Sequence, residues 1–108
     1  MSLVTDIYSS TQSFPKAEMY GLVAQIRRAA VSIPSNIAEG QGRLTRGEFR
    51  QFLGHAKGSV FELDSQILIA RNLGYLCSGD ADRLIAALDE LGRMISGLLK
   101  SLEHRQAV

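Results

Sequence analysis

Two runs of polar side chains at helical spacing are the residues in this chain best placed to do chemistry. Gln25, Arg28, Ser32, Ser35 or Asn36, and Glu39 recur every three or four positions, so a helix carries them on one face. His55, Ser59, Glu62 and Gln66 repeat the pattern further along. On adjacent antiparallel helices the two stripes would meet. Glu39, Glu62, Arg28 and His55 would then be the ionisable groups of a groove able to move protons or hold a ligand. The same residues could form a hydrogen-bonded seam that sets helix register or a subunit contact, or simply two solvated faces. The expectation is a structural polar network of Gln25, Arg28, Ser32, Asn36, Glu39, Ser59, Glu62 and Gln66, with no catalytic residue and no enzymatic activity.

Other chemistries find less support. Carboxylate-bridged metal sites in helical bundles use Glu-x-x-His, which is absent, and His55 and His104 lie far apart. No metal and no cofactor is therefore expected. Ser59 and Cys77 have no base beside them that would make either a nucleophile. The stretch Gly40-Gln41-Gly42-Arg43-Leu44-Thr45 has the glycines of a phosphate loop, but no strand precedes it and no Gly-Lys-Ser/Thr follows, so it reads as a helix–helix turn. Arg43, Arg46 and Arg50 gather at that turn, with Arg27 further back. A helix start beside arginines can hold phosphate, which makes these four the candidate contacts to a structured RNA. No aromatic residues interleave with them in the manner of a single-strand binder.

A net charge of +1 gives no strong field to draw the chain to nucleic acid or to an anionic membrane. The charge is uneven: residues 16–50 carry +3 and residues 51–108 carry −1, weak support for an anion-facing surface near the middle. A single cysteine can form neither an internal disulfide nor a cysteine-based metal site, which suits a reducing, cytoplasmic setting. Residues 1–15 are too polar for a signal peptide, and the longest apolar run, 67–70, is far short of the ~20 residues of a membrane span. The 108 residues are expected to form one domain, 1–108.

The elements that must position these residues are helices. Leu3, Val4, Ile7 and Tyr8 suit a short first helix over 3–12, ended by Ser13-Phe14-Pro15. Pro15 at a first-turn position and Glu18 near a helix start place the second helix at about 15–39, with Leu22, Ile26, Ala29 or Ala30, Ile33 and Ile37 facing the core. Pro34 interrupts it at a cost of ~3 kcal/mol. Either the helix kinks there or it restarts with Ser32 as its cap; the unbroken apolar spacing favours the kink. Thr45 and Glu48 form a capping-box pattern that starts the third helix, which ends near Gly74. Ser78 or Asp80 caps the fourth, where Leu84, Leu88, Leu91, Ile95, Leu98 and Leu102 make a heptad seam, widened by Ile85, Met94 and Leu99. Four such helices give an all-α up-down-up-down bundle. The first helix is too short to cover the groove between its neighbours, which leaves apolar surface open. Gly54, Gly58, Gly92 and Gly97 inside helices call for close helix approach, within the bundle or between subunits.

The run from Gln25 through Arg27, Arg28, Ser32, Pro34 and Asn36 to Gly40, with Gly21-Leu22 before it and Gly42-Arg43 after it, closely resembles the signature of the 23S rRNA intervening-sequence protein family. Glu48-Phe49, Phe52-Leu53, Gly58-Ser59, Glu62-Leu63, Gln66 and Gly74-Tyr75-Leu76 resemble its later motifs, so that the likeness spans roughly residues 5–105. The resemblance implies a left-handed four-helix bundle assembled as a ring, in known cases a homopentamer, in a bacterial family whose biochemical role is uncertain. Accessory proteins of diversity-generating retroelements are similar in fold; they form basic pentamers that bind nucleic acid and a reverse transcriptase. The family's Leu-x-Val-Trp-like N-terminal segment has no counterpart here, and a charge of +1 is low for a dedicated nucleic-acid binder. The expectation is a non-enzymatic, ring-like homo-oligomeric scaffold with a protein or RNA partner. The alternative is a structured-RNA-binding accessory protein using Arg27, Arg43, Arg46 and Arg50.

Overall fold

The computed structural model describes the backbone of residues 2–106 and the side chains of residues 3–103. The chain forms α1 (Ser2–Thr11), a single 3₁₀ turn (Lys16–Glu18), α2 (Leu22–Gln41), α3 (Arg46–Asn72) and α4 (Ser78–Gln106), with no strand among the described residues. α1 packs on α2 and α4, α2 on α3, and α3 on α4, so the helices close around one core in an elongated molecule of 51 × 23 × 19 Å. No described helix is long and apolar enough to cross a membrane.

α1 buries Leu3, Ile7 and Thr11, each one turn apart. Thr11 is buried with its hydroxyl satisfied: Oγ1 donates to the Ile7 carbonyl at 2.8 Å and accepts from Arg27 Nε at 3.0 Å. The Arg27 guanidinium also lies 4.5 Å above the Tyr8 ring and reaches the Tyr8 carbonyl at 3.4 Å. It thus serves a C-terminal carbonyl of α1, that of Tyr8, which the Thr11 hydroxyl also approaches at 3.2 Å.

The second helix starts later than the sequence predicts. Pro15 precedes the 3₁₀ turn in an extended conformation, and Gly21, at φ −108° and ψ −107°, separates that turn from α2. Glu18 does not serve a helix start; its carboxylate accepts a 2.9 Å hydrogen bond from the Tyr75 hydroxyl. That bond, with its carboxylate partner, raises the Tyr75 phenol above its ordinary pKa. Phe14 packs on the same Tyr75 ring at 5.6 Å, and so the α1–α2 connection is pinned to the α3–α4 connection.

α2 runs unbroken through Pro34, which excludes a restart at Ser32. The proline removes the N–H that would bond the Ala30 carbonyl. On either side of it, side chains add hydrogen bonds to backbone carbonyls. Ser32 Oγ lies 2.8 Å from the Ala29 oxygen, and Asn36 Nδ2 donates to the Ser32 oxygen at 2.7 Å. Near the end of α2, Gly40 is buried against α3. A Cβ there would stand 2.9 Å from both Phe49 Cδ1 and Phe52 Cβ.

Thr45 caps α3 as expected: its Oγ1 accepts from the Glu48 N–H at 3.1 Å and lies 3.0 Å from Glu48 Oε1. α3 ends in a Schellman motif, with Gly74 at φ 81°, Gly74 N–H on the Arg71 carbonyl and Tyr75 N–H on the Ala70 carbonyl, both at 3.0 Å. Cys77, not Ser78 or Asp80, precedes α4. Its carbonyl accepts from Ala81 N–H at 3.0 Å, and its Sγ lies 3.5 Å from Asp80 N; Ser78 is already helical.

The heptad seam of α4 is buried at Leu84, Leu88, Ile95 and Leu102, but Leu98 is 41% and Met94 64% exposed. Asp6 pairs with Arg83 at 3.3 Å, which sets the middle of α1 beside the start of α4. Only four residues of α1 precede Asp6, about 6 Å of helix, so α1 does not reach the part of α4 that carries Met94 and Leu98. The open surface expected from a short first helix is therefore present. Between α3 and α4 the Asp64 Oδ1 is shielded from solvent without a hydrogen-bond partner. Burial, and then the neighbouring Asp89 carboxylate, push the Asp64 carboxyl above its ordinary pKa.

Two expected outcomes follow from this packing. Gly40→Ala gains about 1 kcal/mol of helix propensity but must force α2 from the base of Phe52, so a net loss of about 1–3 kcal/mol is expected in urea unfolding; an unchanged or raised midpoint refutes the close contact. Because its folded-state pKa is raised, Asp64 opposes folding at neutral pH, and that cost fades as pH falls through the folded pKa and below the unfolded value near 4. Asp64→Asn is expected to be more stable than the parent at pH 7 and to lose that advantage in acid; a gain of equal size at both pH values would contradict it.

Candidate functional site

The polar seam exists at its centre. Ser32 on α2 and Ser59 on α3 meet at 2.5 Å between hydroxyl oxygens, and Ser59 Oγ lies 3.2 Å from the His55 carbonyl. Asn36 joins through the Ser32 carbonyl. Gln66 is buried, and its Oε1 has no hydrogen-bond partner. The ends of the stripes do not join. Gln25, Arg28, Glu39 and Glu62 are exposed, and Glu39 pairs with Arg43 in the turn that follows α2. His55 is exposed and meets the Phe52 ring edge-on at 5.9 Å. The structure thus joins two hydroxyls and an amide, while Glu39, Glu62, Arg28 and His55 make no hydrogen bond to one another. Among the described residues no group of three or more His, Cys, Asp or Glu could hold a metal ion, and the His104 side chain lies outside them.

The four candidate arginines do not form one cluster. Arg43 sits between two carboxylates, Glu39 at 2.7 Å and Glu48 at 3.8 Å, with its guanidinium 4.8 Å above the Phe52 ring. Arg46 is exposed and shares with Arg43 the rim of a shallow 400 Å³ depression beside the fully exposed Leu44. Arg50 is half-buried. Arg27 lies fourteen residues before the end of α2 at Gln41, about 21 Å of helix from the turn that carries Arg43, and it contacts the end of α1.

Two concave surfaces were not foreseen. Between α3 and α4 a cavity of about 360 Å³ is lined by Lys57, Phe61, Asp64, Asp89, Gly92 and Arg93. Here the signal was legible, since Phe61 falls outside the apolar stripe of α3 and is 63% exposed. The second is a 620 Å³ groove along α1 and the start of α2, where Tyr8, Met19 and Tyr20 stand beside Arg27, Arg28 and Val31. Two aromatic and two basic side chains therefore line one surface. No local pattern announces it, because the turn at 12–21 is what brings Tyr20 back towards Tyr8.

No curated protein matches the chain. Residues 1–97 match the family model described as 23S rRNA-intervening sequence protein, and with nearly the whole bundle inside that match the chain belongs to this family.

Proposed function

We propose that the protein is a non-enzymatic homo-oligomeric scaffold of the cytoplasm, a left-handed up-down-up-down bundle bent at Pro34 and assembled as a ring of five. The ring and its number rest on the family resemblance. The observation that carries self-association is the outer face of α3. Gly54 and Gly58 lie inside this helix, where each costs about 1 kcal/mol against alanine, yet a Cβ at either would meet nothing within 4 Å. Close approach inside the bundle does not account for them. Phe61, 63% exposed, and Ile69, 47% exposed, share their arc of the helix. Glycines with open space around them beside exposed apolar side chains support a close neighbour from a second copy of the chain on this face.

The alternative, a structured-RNA accessory role through Arg27, Arg43, Arg46 and Arg50, draws on the family description more than on the geometry. Arg43 is already shared by two carboxylates, and Arg27 lies near the other end of α2 from Arg43, Arg46 and Arg50.

Native mass measured together with the 260/280 absorbance ratio tests both readings. An oligomer free of nucleic acid is expected. Gly58→Ala should stabilise the isolated chain by up to about 1 kcal/mol while weakening the assembly, and Phe61→Lys should yield smaller species. A wild-type monomer at micromolar concentration would end the scaffold proposal.

A further inference from the structure

The groove between α1 and the start of α2 has a composition that neither the scaffold nor the arginine turn requires. It is lined by two phenol rings and two guanidinium groups over the apolar Met19, Val23 and Val31, and it holds no carboxylate. Tyr20 is 96% exposed, so both faces of its ring are free. Arg28 is exposed, and among the described residues no carboxylate lies within 4 Å of it, unlike Arg43 and Arg83, which each have two. Arg27 is fixed in place by Thr11 and Tyr8, yet those contacts use two of its five N–H donors. A chain of net charge +1 thus carries a concave surface of local charge +2.

We infer that this groove binds a nucleoside phosphate, with the base stacked on Tyr20 and the phosphate met by Arg28 and the remaining donors of Arg27. Flat π surfaces beside unneutralised guanidinium groups are the two requirements of single-stranded nucleotide recognition. A volume of about 620 Å³ falls within the usual range for a small-molecule site. An acidic peptide would satisfy the charge and leave the exposed ring without a partner. A purely apolar partner would leave two guanidinium groups to be desolvated. The nucleotide has two sources, a free mononucleotide or a residue of a single strand, and the chemistry in the groove is the same for both. The inference rests on the groove alone and holds whether the chain is a monomer or a ring.

The test uses the full chain, with fluorescence anisotropy of a labelled single-stranded oligoadenylate and a separate calorimetric titration with AMP. Binding of the strand, of AMP, or of both is expected, and the pattern names the source. Tyr20→Ala leaves thermal stability unchanged, since the ring is exposed, and is expected to weaken binding about tenfold. Arg28→Ala is expected to lower the slope of log affinity against log salt by about 0.7. The inference is overturned if neither probe binds at low salt, or if both variants bind like the parent. It is also overturned if binding is lost in Arg43→Glu with Arg46→Glu but kept in Tyr20→Ala, because the contact then lies at the α2–α3 turn. Equal displacement of the strand by a polyglutamate peptide would likewise refute a base-reading site. A monomeric native mass alongside Tyr20-dependent binding would remove the scaffold and leave this site standing.

Discussion

The close approach of α2 to α3 is the constraint on which the rest of the bundle depends. It is enforced at two heights. At one end Gly40 lies flat against Phe49 and the base of Phe52, where no side chain fits. Near the middle Ser32 and Ser59 meet through their hydroxyls. Two contacts on one helix pair fix rotation as well as spacing, and rotation decides which residues face inwards. With α2 turned to present Ile26, Ala30 and Ile33, and α3 turned to present Leu53, Ala56, Leu63 and Ile67, a single apolar trough results. α4 fills it with Leu84, Leu88 and Ile95, and α1 closes only its lower part. The proline of α2 fits this account. Its missing hydrogen bond lies in the segment where Ser32 and Asn36 add side-chain bonds to the backbone, so the polar seam supports the helix as well as its register.

α1 is held by polar contacts as well as by its core residues. Leu3 and Ile7 are buried, and Arg27 on Thr11 and Tyr8, Asp6 on Arg83, and the Phe14–Tyr75–Glu18 group add directional contacts at its middle and end. A ten-residue helix buries too little apolar surface to define its own position, and directional contacts supply the rest. The consequence reaches α4, where Met94 and Leu98 are left open because nothing in α1 extends to them.

What the sequence disclosed follows the range of the interactions concerned. Helix starts and stops set by neighbours in sequence were readable: the Thr45–Glu48 cap and the Gly74 turn appear where their residue types place them. The start of α2 was misplaced because Pro15 and Glu18 have two compatible uses, a helix first turn or a 3₁₀ turn, and the choice falls to Tyr75, fifty-seven residues from Glu18. The polar stripes were visible as a spacing. Which of their members touch depends on the rotation of α2 against α3, and that rotation is set by Gly40, a residue that in sequence looks like a helix stop. The Tyr8–Tyr20 groove had no signature, since its parts come from two elements and a turn.

The arginines show why net charge is a poor guide to what this surface can hold. Six of the chain's twelve basic residues fall in residues 16–50, which suggested one basic region there. Folding divides them. Arg43 is enclosed by Glu39 and Glu48, just as Arg83 further along lies between Asp6 and Asp80, and these guanidinium groups present little free charge at their positions. Arg27 and Arg28, adjacent in sequence, diverge by one helical step, one engaging α1 and the other left in solvent. Two of the guanidinium groups left unneutralised, those of Arg27 and Arg28, share a surface lined by no acidic side chain, and there they stand next to exposed aromatic rings. A ligand reads the potential within about one Debye length, roughly 8 Å, so that local arrangement weighs more than a total of +1.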